Sequence, residues 1–151
     1  IDWDLLGFFA GLFVVINVME HALVLDLIGK GLSRVINLNE IIGHGTGTGA
    51  ILLSSAAFSS ITDNIPLSAM LAKILQAQGT PSTDPLWWAV VFGANLGGNL
   101  TPIGSASTLV AVTIIQRNNL AMSFGRFVKL AIPFAALQIT LATVYVLVFL
   151  Q

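Results

Sequence analysis

The feature that most constrains the fold is a polar interruption in the middle of a long apolar segment. Residues 85–116 carry no charged side chain, yet the stretch "GANLGGNLTPIGSAS" at 93–107 places four glycines, two asparagines and a proline near their centre. A continuous helix is unfavourable there, because each glycine costs about 1 kcal/mol relative to alanine and a proline about 3 kcal/mol. The pattern predicts a broken helix: Pro85–Ala94, an unwound segment, then Ser105–Gln116.

Composition places the chain among integral membrane proteins. Of its 151 residues, 56% are hydrophobic and only 9% are charged, whereas soluble domains carry about 25% charged residues. The net charge of -1 offers no electrostatic basis for binding nucleic acid. The absence of cysteine excludes disulfides and thiolate chemistry.

Four further segments complete the predicted organisation. Leu5–Val18 is almost continuously apolar and, with its flanking residues, predicts a transmembrane helix. His21–Ile36 alternates apolar and charged residues, which is typical of an amphipathic helix at the membrane interface. Arg117–Phe127 is expected to return along the interface with Ser123 as a helix N-cap, followed by a last transmembrane helix at Val128–Leu150. Because no initiator methionine or signal peptide is evident, we expect a piece of a longer polypeptide.

A second polar interruption, "SSITDNIPLSA" at 59–69, lies in another apolar region. Asp63 is the only acidic residue between Glu40 and Asp84. The apolar helices on its two sides, of which the second is predicted at Leu67–Gln78, have about a dozen residues each, too few to span a bilayer. Pro66 suits the first turn of a new helix. The sequence therefore predicts a re-entrant helical hairpin, whose tip must be buried in protein or face a watery cavity.

The two interruptions together form the candidate site. Discontinuous membrane helices expose helix ends and free carbonyls at mid-depth, and hard cations prefer oxygen ligands. Asp63, the only formal charge among the candidates, could hold either a proton or a metal ion, and we expect it to face a hydrated site shared with Asn99 and Thr101. No cofactor or resident metal is expected, and a transported Na⁺ would lie at Asp63, Asn64 and Asn99. The predicted substrate or ion ligands are Thr62, Asp63, Asn64, Asn95, Asn99, Thr101 and Ser105.

Structural interpretations compete with this one. Asp63 could cap a helix by accepting hydrogen bonds from the N–H groups after Pro66, a role compatible with ion binding. Asn95 and Asn99 could serve only to satisfy the broken backbone. Gly97-Gly98 is expected to be conformational rather than ligating, since glycine tolerates unusual backbone angles. No nucleophile–base pair or metal-ligand spacing supports an enzyme.

At these two interruptions the sequence resembles the ion transporter superfamily. Within it, the chain is similar to the branch that holds NhaD-type sodium/proton antiporters, arsenite-efflux permeases and the pigmentation P protein. The resemblance rests on "S-x-x-x-D-N-x-P" at 59–66, on "GANLGGNLTPIG" at 93–104 and on "SFGRF" at 123–127. It implies two inverted repeats, each with a re-entrant hairpin and a broken helix, of which this chain resembles the C-terminal one.

The resemblance also implies a mechanism and partners. The site in this chain would be half of the full transport site, and an N-terminal repeat would supply the other half. The whole transporter would be a homodimer that works by elevator-like motion. It would lie in the lipid of the inner or plasma membrane. The hairpin and the broken helix would form the transport domain. The expected divisions are 1–36 (scaffold helix and interfacial arm), 37–79 (re-entrant hairpin), 80–116 (broken transmembrane helix) and 117–151 (interfacial arm and final transmembrane helix).

The substrate stays open at this level. A fixed carboxylate at Asp63 repels a dicarboxylate, which disfavours a citrate-like anion. "TPIGSASTL" at 101–109 is similar to arsenite permeases, whereas "DNIP" with "GGN" is similar to sodium/proton antiporters. We therefore expect proton-coupled cation antiport first and arsenite or antimonite efflux second. A carboxylate transporter and a structural subunit of a membrane complex are the further alternatives.

Overall fold

The structure is a computed structural model that describes residues 21–36 and 45–150, with isolated positions between 3 and 18. The described residues are helical and contain no strand. Six helices are complete within them: α1 Val24–Ile36, α2 Thr46–Ser59, α3 Asn64–Ala77, α4 Leu86–Gly97, α5 Ala106–Arg117 and α6 Phe124–Phe149. The expectation of an all-helical chain is thus confirmed for this part. The predicted first transmembrane helix, Leu5–Val18, lies mostly outside the described residues.

Helices α2 and α3 form a helical hairpin. Each has 14 residues, or about 21 Å of length, and residues 60–63 connect them. Helix α3 begins at Asn64, three residues before the predicted start at Leu67, because Asp63 supplies an N-cap there. Pro66 lies in the first turn, where its missing N–H leaves no helical hydrogen bond unmade.

The apolar segment 85–116 is broken, as its composition predicts. Helix α4 continues to Gly97 rather than ending at Ala94, and its backbone ends with the Gly98 N–H bonded to the Ala94 carbonyl at 3.4 Å. Residues 98–105 then form turns before α5 starts at Ala106. The extra turn of α4 shows that glycines at its end are compatible with helix when a neighbouring helix packs against them.

The core is arranged around α4, which packs against α2, α3 and α6. Helices α2 and α4 run parallel, because Gly93 lies against Leu52 and Ser55 while Gly97, one turn later, lies against Ala56. Helix α3 runs antiparallel to them and leads back to the start of α4. The buried apolar residues of this core are Ile51, Leu52, Leu67, Leu71, Leu75, Leu86, Ala89, Val90, Ala94, Ala142 and Val146.

Helix α6 has 26 residues and is the one helix in the described part of the chain long and apolar enough to cross a membrane. Its length is about 39 Å. It starts four residues before the predicted Val128, because the Ser123 side chain accepts a hydrogen bond from the Arg126 N–H at 3.3 Å. The predicted N-cap is therefore confirmed. Pro133 lies inside this helix.

Helix α1 is amphipathic, as its alternating sequence predicts. Lys30 and Arg34 are exposed, whereas Ile28 and Leu32 on the other side are half-buried against the hairpin. An apolar cavity of about 380 Å³ lies between α1 and the hairpin, and Phe58 contributes to its lining. The location of α1 at a membrane interface stays a prediction.

Candidate functional site

The tip of the hairpin places Asp63 at the start of α3. Its Oδ1 accepts a hydrogen bond from the Ile65 N–H at 3.1 Å, and the residue is half-buried. The capping interpretation is confirmed, but the donor is Ile65 rather than an N–H group beyond Pro66. The reason is covalent: the cap normally reaches the second or third helical N–H, and Pro66 has no N–H to offer.

Two hydrogen bonds fasten the hairpin tip to the broken helix. The Ser59 hydroxyl donates to the Ala94 carbonyl, and Ser59 is fully buried. The Thr101 hydroxyl donates to the Ser60 carbonyl. Both acceptors are main-chain carbonyls near helix ends, where carbonyls have room for a further donor; the Ala94 carbonyl accepts the Ser59 hydroxyl in addition to the Gly98 N–H. Of the predicted ligands, Thr101 is therefore committed to joining the tip to the break.

A third bond joins two of the predicted ligands directly. Asn64 Nδ2 donates to Asn95 Oδ1 over 3.1 Å, across the 31 residues that separate them in sequence. Asn95 in turn donates to the Val91 carbonyl at 2.8 Å, which fixes its amide on the surface of α4. The structure thus brings the first residue of α3 against the last turn of α4.

The remaining predicted ligands make other contacts. The Thr62 hydroxyl donates to the Phe58 carbonyl at 2.9 Å, at the end of its own helix. Ser105 caps α5 by accepting from the Thr108 N–H at 3.3 Å. Within the described residues, no hydrogen bond links Asp63 to Asn99, and none is made by the Asn99 side chain. Direct sharing of one site by Asp63 and Asn99 stays a prediction.

The glycines of the break act through their size rather than their backbone angles. A Cβ at Gly97 would overlap the Ala56 carbonyl, and a Cβ at Gly98 would lie 2.7 Å from the Gly104 carbonyl oxygen. Positive φ among the described glycines occurs at Gly45 and Gly79, far from the break. The expectation that Gly97-Gly98 supplies unusual angles is therefore wrong. These residues allow the backbones to touch, as small residues do between membrane helices.

Four helix ends converge at this junction, and Asp63 is its only charged residue. The amino-terminal ends of α3 and α5 carry partial positive charge, while the carboxyl-terminal ends of α2 and α4 carry partial negative charge. Neither segment 59–66 nor segment 93–105 contains another ionisable side chain. In the described residues no cluster of three or more histidine, aspartate or glutamate side chains could hold a metal. The junction therefore offers dipoles, hydroxyls, amides and one carboxylate.

Ser59 and Gln138 are polar residues to which the sequence pattern assigned no role. Ser59 begins the motif "S-x-x-x-D-N-x-P", which could have marked it as a fastening residue. Gln138 lies within the apolar α6, and its Oε1 is buried without a hydrogen-bond partner among the described residues. A lone amide in an apolar 26-residue helix is the signal that could have singled it out.

Short apolar helices that meet at a polar junction, beside one helix of membrane-spanning length, define the class: a helical membrane protein. A comparison with protein families narrows it, since residues 1–93 match the citrate transporter family (CitMHS). The chain belongs to this family. The family and the relatives' names agree with a role other than catalysis.

Curated relatives extend the comparison. An uncharacterized transporter of Mycobacterium tuberculosis is 33% identical over 151 residues, covering 96% of this chain and 34% of its own length. A "46 kDa membrane protein" of Mycobacterium leprae is 32% identical with the same coverage of both chains. The human P protein is 32% identical over 98% of this chain and 18% of its own length. No solved structure matches.

The motifs predicted a relationship to the ion transporter superfamily, which has the P protein among its members. The family match and the P protein relative confirm this wider relationship. The narrower assignment to the antiporter and arsenite branch stays a prediction. The chain spans about a third of the length of the mycobacterial relatives.

Proposed function

We propose that this chain supplies half of the transport site of a secondary active transporter, with the junction of hairpin tip and broken helix as that half. The observation that carries the proposal is the contact between the two interruptions, through the Asn64–Asn95 bond and the Thr101–Ser60 bond. The contact of two polar breaks that lie about 30 residues apart in an apolar sequence supports one shared site. Such junctions are where membrane transporters bind ions and substrates.

The packing supports a re-entrant course for the hairpin. The loop after α3 returns to the start of α4, where the Trp87 indole N–H donates to the Pro81 carbonyl at 2.8 Å. Trp87 and Trp88 are residues of the kind that anchor helices at a membrane interface. Helix α4 then needs only about 18 Å to reach the junction, which brings the hairpin tip to mid-depth. Helix α5 continues from there to Arg117.

Asp63 is the proposed ion and proton carrier. One of its oxygens, Oδ1, caps α3, and the structure gives Oδ2 no partner among the described residues. The cap fixes the carboxylate in orientation, while the second oxygen stays available for a cation or a proton. Alternate binding of the two at one carboxylate is the minimum requirement for proton-coupled cation antiport, with sodium as the first candidate.

A second candidate is an anionic carboxylate substrate, and it gains support from the citrate transporter family match. Helix α5 has no acidic residue in its first turn, where Ser105, Ser107 and Thr108 present hydroxyls. A helix start of this kind favours an anion. Against it stands the fixed charge of Asp63, which repels a carboxylate unless a cation binds between them. Arsenite or antimonite efflux, which the "TPIGSASTL" stretch suggests, is the third candidate.

The proposed working unit extends beyond this chain. An N-terminal repeat of the same polypeptide would complete the site, and a homodimer in the inner or plasma membrane would provide the fixed scaffold. The hairpin with α4 and α5 would then move as the transport domain in an elevator-like cycle. The short length of the chain relative to its relatives supports the need for the remaining part.

The test compares two aspartates that do the same structural job. Asp84 Oδ1 accepts the Leu86 N–H at 2.9 Å, as Asp63 Oδ1 accepts the Ile65 N–H, but Asp84 lies in the turn before α4, at the opposite end of that helix from the junction. Asparagine keeps a side-chain oxygen that can accept the same N–H in both positions. We expect Asp63→Asn in the full-length protein to lower exchange in proteoliposomes at least tenfold and Asp84→Asn to leave it within twofold.

A substrate panel identifies what is carried. Sodium, lithium, arsenite and citrate are each tested against an imposed proton gradient, with wild type and both variants in parallel. Unchanged pH-dependent exchange in Asp63→Asn would contradict the carrier role. If no substrate moves and Asp63→Asn alters only the stability of a larger complex, the chain is a structural subunit instead.

A further inference from the structure

Gln138 carries a polar atom that the packing of this chain leaves unsatisfied. Its Oε1 is buried, yet no donor reaches it from any described residue. An amide oxygen buried without a hydrogen bond destabilises the folded protein, because its bonds to water are lost and not replaced. In an apolar helix such a group marks a functional position more often than a packing accident.

The side chain lies on the packed face of α6. Ala135, Ala142 and Val146 are buried on this helix, and Gln138 follows Ala135 by three residues and precedes Ala142 by four. Residues at these spacings share one face of a helix. That face packs against α2 and α4, whereas Leu137 and Leu141 beside it are exposed. Gln138 is thus directed toward the transport-site helices rather than toward lipid.

Two contacts fix the depth of Gln138 relative to the junction. The Phe92 and Tyr145 rings meet edge to face with centroids 6.2 Å apart, and a Cβ at Gly49 would lie 3.7 Å from Leu147 Cδ1. Phe92 lies level with Leu52, next to the Gly93 contact, whereas Gly49 comes earlier on α2. Moving forward from Tyr145 to Leu147 on α6 thus means moving backward on α2 and α4, so α6 runs antiparallel to both. Helices advance about 1.5 Å per residue. The seven residues from Tyr145 to Gln138 therefore cover about 10 Å, which on α4 leads from Phe92 past its last residue, Gly97, to the level of the break.

The second contact leads to the same depth. Nine residues separate Leu147 from Gln138, and nine residues from Gly49 along α2 lead to Phe58, next to the hairpin tip. Both routes therefore bring the unsatisfied oxygen to the level of the break and the tip.

From these observations we infer that Gln138 Oε1 is an additional oxygen ligand of the transported cation. A neutral amide oxygen suits a hard, partly dehydrated cation, and the inference rests on the proposed function.

The test separates a ligand from a structural residue by two readouts: loss of the Gln138 oxygen should make the protein more stable and should weaken its apparent affinity for sodium. Gln138→Met keeps the length of the side chain and removes the unsatisfied oxygen, so we expect the melting temperature of the full-length protein to rise by about 2–4 °C. The same change removes a cation ligand, so the KM for sodium in proteoliposome exchange should rise at least tenfold. Gln76→Met, at an exposed position on α3, is the matched control and should change neither.

Each result is informative. A higher melting temperature with a KM for sodium within twofold of wild type would overturn the ligand role of Gln138, while a loss of exchange in Asp63→Asn in the same assay would keep the proposed function standing. If neither Asp63→Asn nor Gln138→Met alters sodium exchange, the proposed function itself fails, and this inference with it. A raised KM that Gln138→Glu restores toward the wild-type value supports an oxygen ligand directly.

Discussion

The two halves of the broken helix have the same length and very different surroundings. Helices α4 and α5 contain 12 residues each, and both are rich in apolar side chains. Helix α4 is packed on several sides, with Ala89 and Ala94 fully buried. In α5 only Val112 is buried, and Leu109, Val110 and Ile114 are more than half exposed. The difference follows from glycine: α4 has Gly93 and Gly97, which admit α2, and α5 has none.

This comparison shows which helix surfaces are packed within the described residues and which are left exposed. The glycine seam, where Gly93 and Gly97 of α4 contact α2, is closely packed within this chain, through backbone contact and the Ser59–Ala94 bond. The apolar surface of α5 finds no comparable partner in the described residues. In a membrane protein such a surface faces either lipid or another segment of protein. The loss of stability on truncating a side chain in α4 or in α5 shows whether that side chain is packed against protein.

The largest expected difference comes from truncating one leucine in each half. Leu86 in α4 is 7% exposed and Leu109 in α5 is 53% exposed. We expect Leu86→Ala to lower the free energy of unfolding of the full-length protein by about 2–5 kcal/mol, because it opens a cavity. Leu109→Ala should cost less than about 0.5 kcal/mol. Denaturant titration in detergent micelles measures both. Equal losses would mean that α5 is covered by a segment outside this chain.

The next largest effect concerns the glycine seam. Gly97→Ala would push a methyl group into the Ala56 main chain, which cannot move without displacing the hairpin. We expect a loss at the upper end of about 1–3 kcal/mol. Gly125→Ala is the control, because nothing lies within 4 Å of its Cβ position and alanine favours helix. Thermal unfolding of the full-length protein reports both. A Gly97→Ala protein as stable as wild type would contradict a tight seam.

The sequence predicted the elements more reliably than their contacts. Breaks at 62–66 and 95–104 could be found because Asp63, Pro66 and the cluster of glycines and asparagines are costly inside apolar helices. Helix bounds shifted by three or four residues where caps at Asp63 and Ser123 set the starts. The purpose of Gly97 could not be predicted, because a glycine needed for close approach and one needed for an unusual angle look alike in sequence.

The contacts across the site were beyond the sequence for a similar reason. Asn64, Asn95 and Thr101 were all expected to be ligands, yet local pattern carries no information on which long-range partner each side chain finds. The bonds to Ser60 and Ala94 involve main-chain carbonyls, which every residue has. The orphaned oxygen of Gln138 could be recognised only once the face of α6 that packs inward was known.

The smallest predicted effect tests the link between the hairpin and α4 on which the site depends. The Asn64–Asn95 bond is an exposed side-chain pair, and side-chain hydrogen bonds in membrane proteins average about 0.6 kcal/mol in double-mutant cycles. We therefore expect a coupling energy of about 0.5–1 kcal/mol from Asn64→Ala, Asn95→Ala and the double variant. Asn118→Ala with Asn64→Ala is the control cycle and should give no coupling energy, since the Asn118 side chain bonds within its own helix end.

A coupling energy of zero for Asn64 and Asn95 would mean that the tip and the break associate through the buried Ser59 and Thr101 bonds alone. In that case both asparagine amides would be available to a bound substrate, and the junction would be a more open site than its hydrogen bonds indicate.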